Sequence, residues 1–445
     1  MKNKTLRMSA LPFFLALAFI SSANAQALPV PMLLEVDRAR KGNPLANYAG
    51  LLELEQKYLE SAQFAEIYPQ VRLMAEQFLG VPDAGVRAMS TVAQLRRTFP
   101  PGETALPAGY VGEAALRVIE KKAAQTQIVI FAEEHHLPQT RSLYEPMLKA
   151  MWRLGYRYLA AETFTDSVMA AEFKVPTFAS GVYLRDPVHA TAVRTAIDLG
   201  YQLVAYEEMR RAPAGDESFR DRRQAENIQA RVLAKDTRAK ILILAGRGHA
   251  SEATSPDGWT PMASVLKRIT GIDPFTIFGV RMGERLTREE EDPMYRFATS
   301  RGLVREPTIF VDSETGRTLG DDSFDAYVFW PRTRVTNGRP DWLETTLGRR
   351  RVIIPPSLAK GRGMRLVQAF RPGEPDIAIP VDQVLITDDT ASKVLLLPPG
   401  AYRVRSIDRT GTLIGETSIT VMLCQLNCGS RSRAISAMPS SIVRE

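Results

Sequence analysis

Five short apolar runs, at 128–132, 158–161, 203–206, 241–245 and 275–278, constrain this chain more than any other feature. They are rich in β-branched residues and lack the polar alternation of a strand with one wet face. Such runs fit strands covered on both sides. Helix-length segments separate them: 143–152, closed by Gly155; 187–199, opened by Pro187 and closed by Gly200; 219–233; and 262–269. Strands alternating with helices imply βαβ units and a parallel sheet. Right-handed crossovers then place helices on both faces.

The flanks read differently. Apolar residues at spacings of three and four predict helices over 45–59 and 64–79, with Gly80 as a stop, and a third over 111–122. After the sheet come expected strands at 307–311 and 326–330. From 351 onward, short runs at 352–354, 366–370, 393–397, 402–407 and 417–421 alternate with turns at 398–400 and 409–411. The expected architecture is an α/β domain at 123–350, preceded by a helical region at 26–122. A small β-sandwich-like domain at 351–425 follows, suited to docking a protein or surface, and then a flexible tail at 426–445.

The first 25 residues read as an export signal. Lys2, Lys4 and Arg7 precede an apolar run at 10–20, and Ala23-Asn24-Ala25 supplies the cleavage pattern. The run is too short to span a bilayer, and no later stretch is long and apolar enough. The expectation is a periplasmic or secreted protein starting near Gln26. Its two cysteines, Cys424 and Cys428, then read as a local disulfide. The formal charge of +7 is spread among acidic residues, and three of the cations sit in the leader. Nucleic acid is therefore not the expected partner.

The chemistry collects at strand ends. Ala132-Glu133-Glu134-His135-His136 follows the first run, Glu162 the second, Glu207-Glu208 the third, and Gly246-Arg247-Gly248-His249 the fourth. In a parallel sheet these ends share one rim, where open α/β sheets bind ligands. Glu133, His135, His136, Glu162 and His249 are the expected catalytic residues, with Glu207 and Arg247 as substrate contacts. Arg247 could equally pair with a carboxylate. Glu134 and Glu208 read as solvated partners, and His189 as a surface or helix-packing residue. If the exit from the first strand is extended, Glu133 shares a side with His135; if a helix starts at once, with His136.

Such a cluster could hold a divalent metal through Glu133, His135, His136 and His249, activating a water. Alternatively, a carboxylate-held histidine could act as a metal-free base. Both lead to water attacking an ester or amide in a small molecule or peptide. The chain has no G-x-S-x-G, H-E-x-x-H or P-loop motif, and Gly246-Arg247-Gly248 lacks the third glycine of a dinucleotide site.

The segment 132–139, Ala161-Glu162, 223–228 and Gly246-Arg247-Gly248-His249 together resemble a known superfamily. It joins ChaN-like haem-binding lipoproteins, erythromycin-esterase-like hydrolases and Tiki/TraB proteins. The likeness covers about 125–280. It matches Glu133 and one of His135 or His136 to the first acid and histidine, Glu162 to the second acid, and His249 to the last histidine. Ala132 stands where the superfamily usually has glycine. The resemblance implies ester hydrolysis, metal-dependent proteolysis, or haem or iron binding, and does not choose among them.

Overall fold

Each of the five apolar runs forms a strand, and the helices between them bury their apolar stripes on the resulting sheet. The structure is a computed structural model describing residues 35, 43–58, 60–359, 363–387 and 394–422. The expected leader, Cys424, Cys428 and the expected tail lie outside the described residues.

Three helices come first: α1 (Pro44–Lys57), α2 (Ala62–Phe78) and α3 (Ala84–Thr91). Strand β1 (Tyr110–Ala114) leads into α4 (Ala115–Ala123), so 111–114 is strand rather than the helix expected there. The reason is tertiary: β1 pairs antiparallel with a later strand, β7 below, and pairing overrides local propensity. The α/β unit then runs β2 (Ile128–Glu133), α5 (Tyr144–Arg153), β3 (Tyr158–Ala161), α6 (Pro187–Leu199), β4 (Gln202–Ala205), α7 (Phe219–Ile228), β5 (Ile241–Gly246), α8 (Met262–Thr270), β6 (Phe275–Phe278) and α9 (Pro293–Ser300). A π-helical turn, Gln229–Leu233, continues α7. Gly155 and Gly200 take φ of 88° and 92°, the left-handed stop that glycine allows without a Cβ clash.

Strands β7 (Thr308–Asp312) and β8 (Ala326–Tyr327) follow, and β8 joins the sheet. The six-stranded order is β4-β3-β5-β2-β6-β8, and every pair is parallel. Alternate residues of β2 feed the two layers. Val129 and Phe131 pack under α4, α5 and α6, whereas Ile128, Ile130 and Ala132 pack under α7, α8 and α9. Burial on both faces explains the unbroken apolar runs.

The remaining strands are β9 (Val335–Thr336), β10 (Arg339–Pro340), β11 (Arg350–Ile353), β12 (Arg365–Phe370), β13 (Asp382–Ile386), β14 (Val394–Leu397), β15 (Gly400–Asp408) and β16 (Leu413–Val421). An antiparallel sheet of order β13-β12-β15-β16 shares one core with the β11–β14 ribbon. Strand β13 escaped sequence reading because it opens with polar residues that are buried here. Asp382 pairs with Arg339, and Gln383 donates to the Phe78 carbonyl at 2.6 Å.

The N-terminal helices brace two units at once. Leu45, Tyr48 and Leu79 pack on Leu366 and Ile407 of the β module. Leu73, Met89, Val92 and Leu95 pack on Leu137 and Val280, beyond the carboxyl ends of β2 and β6. No helix among the described residues is long and apolar enough to cross a membrane.

Candidate functional site

The exit from β2 is a turn over 134–137, closed by the Leu137 amide donating to the Glu134 carbonyl at 2.8 Å, and it sets His135, not His136, beside Glu133. Its Oε1 lies 2.8 Å from His135 Nδ1, while His136 Nδ1 lies 3.2 Å from Glu134 on the other side. The doubled motif thus yields two Glu–His pairs of identical spacing, facing opposite ways.

The first pair belongs to a buried cluster at the rim. Arg141, with no solvent exposure, donates from Nε to Glu133 Oε2 at 2.5 Å, from Nη1 to Asp186 at 2.8 Å and from Nη2 to the His135 carbonyl at 2.8 Å. One guanidinium therefore fixes both the acid and the backbone of the histidine it orients. The imidazole stacks on Tyr183, centroids 3.7 Å apart. Burial disfavours its charge, but Glu133 and Glu162 outweigh that and push the His135 pKa up to about 9. Burial likewise works to raise the Glu133 carboxyl, yet Arg141 and His135 hold it well below the usual range. His135 is accordingly an imidazolium at neutral pH.

Glu162 sits at the centre. Its Oε2 accepts from the Gly246 amide at 2.6 Å, and its Oε1 accepts from Arg220 Nη2 at 2.8 Å. The same Oε1 is 3.8 Å from both His135 Nε2 and His249 Nε2, ion-pair range rather than hydrogen bonds. Burial opposes its ionisation, but His249 when protonated, His135 and Arg220 hold the carboxyl well below normal. Glycine is required at 246 for a steric reason. A Cβ there would meet His135 Nε2 at 2.9 Å and Glu162 Oε2 at 3.0 Å.

His249 is held by Asp221, whose Oδ1 lies 2.6 Å from Nδ1 and also accepts from the Met262 amide at 2.9 Å; Oδ2 accepts from Trp259 Nε1 at 2.9 Å. On the other side of the ring, Arg220 Nη1 approaches Nε2 to 2.7 Å. Because a guanidinium can only donate, Nε2 must be the acceptor and Nδ1 must carry the proton toward Asp221. The cluster therefore contains one charged, donating histidine and one neutral, accepting histidine around a single carboxylate oxygen.

Of the expected site residues, the fold brings together Glu133, His135, Glu162 and His249. Glu207 joins through Arg220, whose Nε donates to it at 2.9 Å, and Gln224 Nε2 adds a contact at 3.1 Å. His136 does not join: it is buried, its Nε2 has no hydrogen-bond partner among the described residues, and its ring belongs with Glu134. Arg247 sends its side chain to Glu134 at 3.5 Å and the Gln94 carbonyl at 3.1 Å. Glu134 and Glu208, expected to be solvated, are buried, the latter bound by Arg210. His189 packs between helices, buried against Tyr144 of α5, which is the helix-packing alternative rather than the surface one.

Arg141, Asp186, Tyr183, Arg220, Asp221 and Trp259 were not legible as site residues. One signal was present. Asp221, Gln224, Ala225 and Ile228 share the buried face of α7, and an acid on an apolar helix face implies a partner beneath it.

Among the described residues, no group of three or more His, Cys, Asp or Glu side chains is placed to hold a metal ion. Glu133 and Glu162 are already bound to Arg141 and Arg220. No family model matches the chain, and no curated protein matches it. Among solved structures, the type III effector HopBA1 is similar at 14% identity, over 43% of this chain and 95% of that one, with a TM-score of 0.29. A similarity at that level says nothing of activity.

Proposed function

We propose that this chain is an exported hydrolase in which water attacks an ester or amide carbonyl without a metal, using His249 as base. The observation that carries the reading is the approach of His135 Nε2 and His249 Nε2 to the same Glu162 oxygen, each at 3.8 Å. A proton acceptor and a proton donor then face one space, which is what water attack followed by leaving-group departure needs.

The roles follow from the hydrogen bonds. Asp221 holds the His249 tautomer whose Nε2 carries the lone pair, and stabilises the imidazolium formed when that nitrogen takes a proton from water. As the water oxygen bonds to the carbonyl carbon, the C=O electron pair moves onto oxygen. The His135 imidazolium and the Arg220 guanidinium are the positive groups available to that oxyanion. Collapse of the adduct breaks the bond to the alcohol or amine, which takes a proton from His135. For His249 to act, Arg220 must leave its Nε2; a shift onto the oxyanion serves both needs. Glu133 and Arg141 keep His135 charged and oriented, and Glu162 positions both rings.

The test is turnover of a panel of p-nitrophenyl esters and peptide anilides by the purified chain after exhaustive chelation. Wild type is expected to turn over at least one class, and His249→Ala to lose it. Absence of turnover by wild type across the panel, with a Soret band on haem addition, would replace this reading by haem binding. Restoration of activity only by added Zn²⁺ or Mn²⁺ would replace the metal-free route.

A further inference from the structure

A second charged region adjoins the site and is not balanced within itself. Three segments converge on it: the stretch after α3, the exit of β5 and the loop after β6. They contribute Arg97, Arg247, Arg281 and Arg285. Arg281 is paired with Asp292 at 2.6 Å. Arg247 shares Glu134, at 3.5 Å, with His136. Among the described residues, Arg285 donates only to backbone, to the Glu284 and Val280 carbonyls at 2.8 and 2.9 Å. Arg97 has no hydrogen bond or ion pair among the described residues, although its side chain is crowded by Arg247 and Arg281. The nearby acids are committed elsewhere: Glu290 to Arg96 and Ser90, Glu291 to Arg332, and Glu284 to the Thr333 amide.

Like charges gathered without counter-charge cost free energy, and a bound anion removes that cost. Burial and the neighbouring guanidiniums hold Arg97 and Arg285 below the usual arginine pKa, the direction such crowding dictates. The region also touches the site through backbone. The Arg247 amide donates to the Glu133 carbonyl at 3.0 Å, and Gly246, one residue earlier, donates to Glu162.

We propose that Arg97, Arg247 and Arg285, with Arg281 at the margin, form a subsite for a carboxylate or phosphate group. The compounds hydrolysed would then be anionic esters or amides long enough to reach from the Glu133–His135 side of the β2 exit to its Glu134 side, an inference that rests on the hydrolase reading for its substrate clause. Guanidiniums suit this task because their paired N–H groups match the oxygens of either anion. Arg97 is the free arm that the anion recruits, while Arg285 and Arg247 are pre-positioned by the backbone and Glu134.

The experiment has two arms. In the first, succinate and inorganic phosphate are titrated calorimetrically at low salt into the full chain, wild type and Arg97→Gln. Arg97 is solvent-exposed as a residue, its guanidinium only partly covered, and it makes no hydrogen bond among the described residues, so the change avoids a folding defect. Binding by wild type is expected, weakened at least about tenfold in the variant, the size of a lost charge-assisted hydrogen bond; the tighter of the two ions identifies the anion class. Equal affinity in both proteins, or no binding by wild type, overturns the subsite. In the second arm, p-nitrophenyl hemisuccinate and p-nitrophenyl acetate are compared. The kcat/KM ratio of anionic to neutral ester should fall about tenfold in Arg97→Gln. An unchanged ratio overturns the substrate assignment. Arg97-dependent succinate binding, with no hydrolysis of these esters or of the ester and anilide panel, would instead remove the hydrolase reading and leave the anion site standing.

Discussion

Glu133–His135 and Glu134–His136 are chemically the same pair, repeated one residue apart on one strand exit, yet they do different things. The first has Arg141 behind its acid, Tyr183 against its ring and Glu162 in front of its Nε2. The second has a free Nε2 in a buried setting and the partly exposed Arg247 beyond its acid. The turn over 134–137 separates them, and Arg141, Tyr183 and Glu162 all lie on the side of the first pair. Local sequence can therefore place two like pairs side by side in unlike surroundings.

The sharpest way to break this comparison is kinetic. Removing His249 or His135 is expected to lower kcat by about 10²- to 10⁴-fold, the usual worth of a positioned acid or base. His136→Ala should instead lower stability by about 1–3 kcal/mol as a buried polar change. A kcat loss in His136→Ala as large as that in His135→Ala would erase the distinction drawn here.

Next in size is what anchors each pair. Arg141→Met leaves Glu133 and Asp186 buried without their cation, which should cost about 3–5 kcal/mol in urea unfolding. Arg247→Met, at a half-exposed position, should cost only about 1 kcal/mol or less. Equal losses would mean that both sides are equally anchored.

A pH series sharpens the contrast further, because His135 and His189 are pushed in opposite directions. For His135 the folded value, about 9, lies above the ordinary 6.5, so its stabilising contribution is complete below pH 6.5 and is lost as pH rises through 9. His189 is driven down to about 3 by burial, with Arg141 and His135 reinforcing it. The unfolded chain then takes up its proton first, and stability falls as pH drops from 6.5 toward 3. Maximal stability is expected near pH 6.5, between the two limbs, and His189→Asn should flatten the acid limb from pH 6.5 down to about 4.5, below which the depressed carboxyls of Glu133 and Glu162 add to the loss. An acid limb unchanged in that variant would assign it to other groups.

The smallest effect concerns the other acidic doublet. Glu207 is gripped by Arg220 inside the cluster, whereas Glu208 is bound by the exposed Arg210. Arg210→Ala should change unfolding free energy by about 0–1 kcal/mol and leave the ester kinetics alone. A kinetic defect there would extend the site outward.

The sequence alone determined the parallel sheet, because residues buried on both faces of a strand must all be apolar, and 128–132 or 241–245 satisfy no other pattern. It also determined the rim: Glu133 ends a strand, Glu162 and His249 lie just past one, and parallel strands end together. Strand β1, the polar-headed β13 and the entry of β8 into the sheet were decided by partners distant in sequence, which no local window contains. The same holds for the choice between His135 and His136, and for the recruitment of Arg141, Arg220 and Asp221. Charged side chains on loops and helix starts look alike in sequence whether they meet water or a buried carboxylate, and only packing brings the carboxylate there.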